Sequence, residues 1–285
     1  MGLDFVRLPC ETLRMKTRSA LYLPANRESA IAKARTLPAD CIILDLEDAV
    51  QPDAKKAARA AAVAAMAAGG WGARRVLLRV NALGTPWSAE DFAAARSGGF
   101  AGIVVPKVEN AAEAAQATAA AGVPVWAMIE TPAGVIDAPR IAAVPGVAAL
   151  LAGMADLAKD LHCRPDAART PLLYSLSAIV LAARAAGVLA IDGVFMDIGD
   201  AAGFAGEAEQ GLMLGFDGKS LIHPSQVAPC NAVFSPSAQD VTAAEGLIAA
   251  YEAGLAAGKG VTTFNGRLVE VLHVEAARRI LAEAL

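Results

Sequence analysis

Histidine and cysteine are scarce: three of one and four of the other in 285 residues. Cys10, Cys41, Cys163 and Cys230 lie far apart and match no CxxC or Cys/His ligand spacing, so they read as buried or idle thiols rather than as a zinc site or a redox pair. Aromatic residues make up only 5%, and no run of about 18 apolar residues escapes interruption by a charge or a breaker, which excludes a membrane-spanning helix despite a 55% hydrophobic composition. That apolar excess is mostly alanine. Positive charge is not in excess either, since a formal net charge of -4 leaves no polybasic footprint for nucleic acid or an anionic membrane surface. The opening "MGLDFVRLPCETLRMKTRSA" is broken by charges and has no signal-peptide core. The expectation is a cytoplasmic protein acting on a small molecule.

What the chain does have is a repeat of short β-branched runs separated by alanine-rich stretches of helical composition. The runs are "SALYLPA" from Ser19, "CIILDLED" from Cys41, "RVLLRVN" from Arg75, "GIVVPKV" from Gly102, "PVWAMIET" from Pro124, "VAALLAG" from Val147, "GVFMDIGD" from Gly193 and "KSLIHP" from Lys219. "DAKKAARAAAVAAMAAGG" illustrates the stretches between, with Asp53 as a candidate N-cap and Gly69 and Gly70 as the stop. Eight β-α units in order predict an α/β fold, a single (β/α)8 TIM barrel, with an open doubly wound sheet as the rival. Against the rival, no GxGxxG follows the first run. The barrel is assigned to residues 1–230, and residues 231–285 form a C-terminal helix and lid extension, longer than one barrel helix needs, that either plugs the barrel bottom or reaches a neighbouring subunit.

Barrel chemistry sits at the C-terminal ends of the strands, so residues just past each run belong together. They are Asp45, Glu47 and Asp48; Arg79 and Asn81; Lys107 and Glu109; Glu130; Asp156 of "GMAD"; Asp197 and Asp200; and His223. Carboxylates gathered at one mouth repel unless a cation sits among them, and an oxygen-rich set without clustered His or Cys suits Mg²⁺ better than Zn²⁺. Glu130 and Asp156, on adjacent strands, are the pair placed to share it. Arg79 is either the partner of an anionic substrate oxygen, through its planar fork, or one half of a salt bridge to Glu47 or Asp48. Lys107 divides between substrate contact and pairing with an acid, and His223 reads first as a structural hydrogen-bonding group.

"RSALYLPAN", "IILDLEDAV", "LLRVNALGTPW", "VPKVE", "IETPAGV", "AIDGV", "GFDGKSLIHPSQ" and "FNGRLVE" together resemble the citrate lyase β-subunit family, which includes citramalyl-CoA and malyl-CoA lyases. The resemblance spans nearly the whole chain in the family's order. It implies the barrel of the phosphoenolpyruvate/pyruvate group, Mg²⁺ held by Glu130 and Asp156, a substrate-holding Arg79, and support of the metal's water shell by Glu47 and Asp48. It also implies that Arg18 touches the anionic part of the CoA, and that Glu270 after the "FNG" turn is the general acid/base, where the family usually carries an Asp followed shortly by Pro. The implied activity is a carbon–carbon lyase that cleaves a 3-hydroxy-acyl-CoA thioester to an acyl-CoA and a 2-oxo acid, in a homo-oligomer, trimer or dimer. Two other readings remain open: a citrate lyase subunit served by an acyl carrier protein, and a CoA-ester-binding barrel without turnover.

Overall fold

The computed structural model describes residues 17–258 and 261–284. Cys10 and the first 16 residues of the opening segment read above therefore lie outside the described residues. Eight parallel strands close in sequence order: β1 (Ser19–Pro24), β2 (Cys41–Asp45), β3 (Arg75–Arg79), β4 (Gly102–Val105), β5 (Val125–Ile129), β6 (Val147–Ala152), β7 (Leu189–Asp192) and β8 (Gly218–Leu221), with β8 pairing back onto β1. The helices are α1 (Glu28–Ala34), α2 (Lys55–Ala67), α3 (Ser88–Ser97), α4 (Ala111–Ala121), α5 (Pro132–Ala142), α6 (Met154–Asp160), α7 (Leu173–Ala186), α8 (Ala201–Leu214) and α9 (Val227–Val233). This is the expected (β/α)8 barrel, and no helix among the described residues is long and apolar enough to cross a membrane.

The period-2 alternation of a strand decides what fills the barrel. Ala20, Cys41, Ile43, Leu77, Val104, Trp126, Met128, Ala149, Leu151, Leu189 and Ile191 form one buried cluster, with Tyr22 packed against it. The intervening positions, such as Val125, Ala127 and Ile129, are equally buried, against the helices outside, so these strands read as continuous apolar runs. Extending the inward positions by one step places Tyr22, Asp45, Arg79 and Glu130 in the topmost layer. Glu130 ends its strand as an acid because that position faces the mouth rather than the core.

Two expectations are corrected. The seventh strand is Leu189–Asp192, not the run from Gly193. Gly187 ends α7 in the left-handed region at φ 72°, so the chain turns directly into the strand. The stretch that looked more strand-like is a rim loop, with Met196 and Ile198 exposed at 66% and 49%. Asp53 is not an N-cap: it lies in a short 3-10 turn, Pro52–Ala54, ahead of α2, whose N-terminus carries no side-chain cap.

The corrected strand reveals a buried ionic network that the linear sequence hides. Asp192 ends β7 fully buried, accepting from both Arg169 Nη1 (2.8 Å) and Lys219 Nζ (3.0 Å), and Lys219 also donates to Glu207 on α8 at 2.7 Å. Asp192→Asn keeps the shape but leaves two buried cations facing Glu207 alone. The expected result is a loss of about 3 kcal/mol of stability, read as a lower urea midpoint; an unchanged midpoint would make the network energetically neutral.

The chain divides into two compact units between Asn231 and Ala232. The second unit holds α10 (Ala238–Ala256), a hairpin of β9 (Thr262–Phe264) and β10 (Arg267–Val269), and α11 (Val271–Ala284). Ser237 caps α10 through a reciprocal capping box with Asp240. The hairpin turns on Asn265 and Gly266, both at positive φ, the pairing a two-residue hairpin turn requires.

Candidate active site

The barrel mouth opens on a cavity of about 430 Å³ whose wall carries Tyr22, Asp45, Asp48, Arg79, Glu130 and Asp156 among apolar Met128, Leu151 and Met154. Five of the charged positions expected at the rim thus line one space. Arg79 is held by Asp45 in a two-pronged pair, Nε to Oδ1 at 2.7 Å and Nη2 to Oδ2 at 2.6 Å. Asp45 is itself fixed by the backbone N–H groups of Glu47 and Ala49. The remaining Nη1 faces Glu47 at 2.9 Å and Asp48 at 3.7 Å. Arg79 is thus salt-bridged and also lines the cavity. Burial alone would weaken the guanidinium's hold on its proton, but the hydrogen bonds and charge of Asp45 outweigh it and push the pKa up. Sequence reasoning placed Asp45 at the rim but looked to Glu47 or Asp48 as the partner of Arg79; Asp45, at the inward position of "ILDLED", is the main one.

Glu130 is buried at the end of β5, and its Oε1 accepts one bond, from the backbone N–H of Lys107 at 2.8 Å. Lys107 adopts a left-handed φ of 53° to aim that N–H, a conformation that non-glycine residues seldom take. Burial, reinforced by the charges of Asp156 and Glu47, raises the Glu130 carboxyl to about 7. Burial, with Asp48 beside it, likewise lifts Glu47 to about 7. Asp156, in the first turn of α6, has Lys107 Nζ at 3.9 Å. Gly153 leaves the side of Glu130 open, since a Cβ there would lie 2.6 Å from Oε2.

Under-compensated carboxylates around an open oxygen face are the electrostatic form of a cation site. The described residues contain no group of three or more His, Cys, Asp or Glu placed to hold a metal. Two carboxylates with the remaining positions left to water and substrate oxygens suit Mg²⁺, which dehydrates reluctantly, and not a structural Zn²⁺.

Other expected residues fall elsewhere. Arg18 precedes β1 and so sits at the opposite end of the barrel from the mouth, where Nε and Nη2 grip Asp40 at 2.9 and 2.7 Å. There it braces the entry of β1 against β2. Asn81 turns away to bond buried Asp91 at 2.6 Å. Asp200 caps α8 through Gly203 N–H, and Asp197 is exposed in the loop before it. His223 caps a short turn, with its Nδ1 accepting from Ser225 N–H, the structural role expected of it. Cys41 and Cys230 are buried thiols and Cys163 is half-buried, all three free. Glu270 is exposed in the second unit, immediately before α11, with its N–H donating to His273 Nδ1.

Comparison with known proteins agrees with this geometry. The chain is 42% identical over 268 residues to a (3S)-malyl-CoA thioesterase of Cereibacter sphaeroides, covering 94% of each chain. It is 35% identical over 299 residues to an L-malyl-CoA/beta-methylmalyl-CoA lyase of the same species, again covering 94% of each. Among solved structures, the protein CitE of Mycobacterium tuberculosis in complex with magnesium, acetoacetate and coenzyme A superposes with a TM-score of 0.80 at 32% identity, covering 95% of this chain and 99% of that one. The model of the HpcH/HpaI aldolase/citrate lyase family matches residues 18–224. A closed barrel with its acids and Arg79 at the mouth, these relatives and that match together make the chain a member of the HpcH/HpaI aldolase/citrate lyase family.

Proposed function

We propose that the protein is a magnesium-dependent lyase that cleaves a 3-hydroxy-acyl-CoA thioester of the malyl-CoA kind into an acyl-CoA and a 2-oxo acid. The observation that carries this reading is the buried Glu130 carboxylate beside Asp156, open on one face, with an aligned Arg79 on the same cavity wall. Glu130 and Asp156 would hold Mg²⁺, and Glu47 and Asp48 would orient its water shell. The ion, when bound, supplies Lewis acidity worth several kcal/mol at the substrate's hydroxyl and carboxylate oxygens.

The chain's own groups account for the rest. As the hydroxyl gives up its proton to solvent base and its oxygen becomes the 2-oxo carbonyl, the electron pair of the breaking C–C bond moves into the thioester as an enolate, and Arg79, pre-aligned by Asp45, meets the oxygen on which charge develops. Met128, Leu151 and Met154 keep the wall apolar, which strengthens that interaction by excluding water. Glu270, by the likeness of "FNGRLVE" to the family's acid, would deliver the proton to the enolate carbon. The resemblance also supports a homo-oligomer.

A calorimetric titration with Mg²⁺ tests the reading: the intact protein should bind one ion per chain, and Asp156→Asn should weaken that binding at least tenfold. Equal affinity in both would remove Asp156 from the site. Arg79→Lys keeps the charge but loses the two-pronged fork, so kcat/KM should fall at least tenfold, about 1.4 kcal/mol in the transition state. Unchanged kinetics would confine Arg79 to its salt bridges.

The 42% identity to a thioesterase favours one second reading, hydrolysis of the same substrate at the same site. It differs in the bond broken, releasing free CoA thiol and a hydroxy acid, so product analysis separates the two.

A further inference from the structure

Tyr22 belongs to the strand segment "SALYLPA". It occupies the inward position of β1 and lines the cavity, and its ring lies under the Arg79 guanidinium at 4.9 Å from the centroid. Its hydroxyl is buried with no hydrogen-bond partner among the described residues. Several of the acceptors nearby are already engaged. Asp45 Oδ1 accepts from Arg79 and Glu47 N–H, and Oδ2 from Arg79 and Ala49 N–H. Glu130 Oε1 takes the Lys107 N–H, and the Ser220 hydroxyl, on the same wall, donates outward to the Asp192 carbonyl. A phenol is both donor and acceptor, and burying it unpaired is unfavourable; a phenylalanine would offer Arg79 the same ring without that penalty.

We propose that the Tyr22 hydroxyl is a substrate-binding group, donating a hydrogen bond to a carboxylate or carbonyl oxygen of the 2-oxo acid half of the substrate, while its ring steadies Arg79 from below. The proposal rests on the magnesium and 2-oxo acid reading above and names the group that recognises the acid within that site. The hydroxyl is kept for ligand recognition at the expense of the empty fold, so the two properties move in opposite directions when it is removed.

Tyr22→Phe deletes the hydroxyl alone. Pyruvate is the probe, titrated by calorimetry into protein saturated with Mg²⁺, together with a thermal unfolding scan without either ligand and a Mg²⁺ titration. The expected result is pyruvate affinity at least tenfold weaker in Tyr22→Phe, Mg²⁺ affinity unchanged, and an unfolding midpoint equal to or above that of the unaltered protein. Equal pyruvate affinity in the two proteins overturns the proposal, and so does a lowered midpoint with Mg²⁺ binding lost, which would make the hydroxyl a packing element. Tyr22→Leu separates the two halves of the side chain: further weakening beyond Tyr22→Phe is the share of the ring beneath Arg79, and affinity equal to that of the unaltered protein overturns the proposal again. If the unaltered protein binds Mg²⁺ but not pyruvate, the 2-oxo acid reading of the site fails first and carries this proposal with it; if it binds both and only Tyr22→Phe is indifferent, Tyr22 alone is reassigned.

Discussion

Glu130→Gln should yield a folded barrel that turns over its acyl-CoA about a thousandfold more slowly. The amide has the size of the carboxylate and can still accept the Lys107 N–H that Oε1 receives at 2.8 Å, so the left-handed Lys107 turn and the end of β5 keep their geometry. What disappears is the negative charge. Burial and the neighbouring acids already press that carboxyl up to about 7, so replacing it with a neutral group relieves repulsion and leaves the unfolding midpoint unchanged or raised. Catalysis loses the opposite way. An oxygen that no longer carries charge is a poor ligand for a hard divalent ion, and several kcal/mol of transition-state stabilisation correspond to about three powers of ten in rate. Steady-state kinetics with saturating Mg²⁺, beside a thermal scan, check both halves; near-normal turnover in a folded Glu130→Gln protein would contradict the metal assignment.

Glu270→Gln should lower the chemical step by two to four powers of ten, the usual range of about 10² to 10⁴ for a general acid/base, and leave Mg²⁺ binding untouched. The support is the likeness of "FNGRLVE" to the family pattern together with a solvent-exposed side chain on a residue whose backbone N–H donates to His273 Nδ1 and whose C=O accepts from His273 and Val274 N–H. Gln keeps the length and polarity but has no proton to exchange. Deuterium wash-in to the acetyl-CoA methyl group, in heavy water with Mg²⁺ and a 2-oxo acid, isolates that proton transfer from binding. Exchange as fast as in the unaltered protein would return Glu270 to the role of a helix-leading surface acid and give the proton to another group.

The fold was legible because seven of its eight strands announce themselves as β-branched runs between breakers, and their order alone requires closure. The seventh was misplaced for a physical reason: "LAID" is four residues of modest strand propensity behind a helix-ending glycine, whereas the exposed loop "VFMDIG" has the apolar composition of a strand. That error also pointed to Asp197 and Asp200 instead of Asp192. Acids at strand ends could be read by type and position, which is how Glu130, Asp156 and Arg79 came to be grouped. What one dimension does not show is inward against outward. Asp45 and Asp192 are both strand-terminal aspartates, yet one faces the mouth and holds Arg79 while the other faces the helices and pairs with Arg169 and Lys219. Tyr22 was invisible for a related reason, since an aromatic in a strand reads as core until its hydroxyl is seen to lack a partner.

Which bond breaks decides the activity. Malyl-CoA is incubated with the protein and Mg²⁺, and glyoxylate, acetyl-CoA and free CoA thiol are followed together, with EDTA in a parallel sample. The prediction is glyoxylate and acetyl-CoA in equal amounts, both abolished by EDTA, with free thiol lagging or absent. Free thiol with malate and no glyoxylate would replace the lyase by a thioesterase at the same site, and no product of either kind from malyl-CoA, citramalyl-CoA or citryl-CoA would contradict the proposed activity.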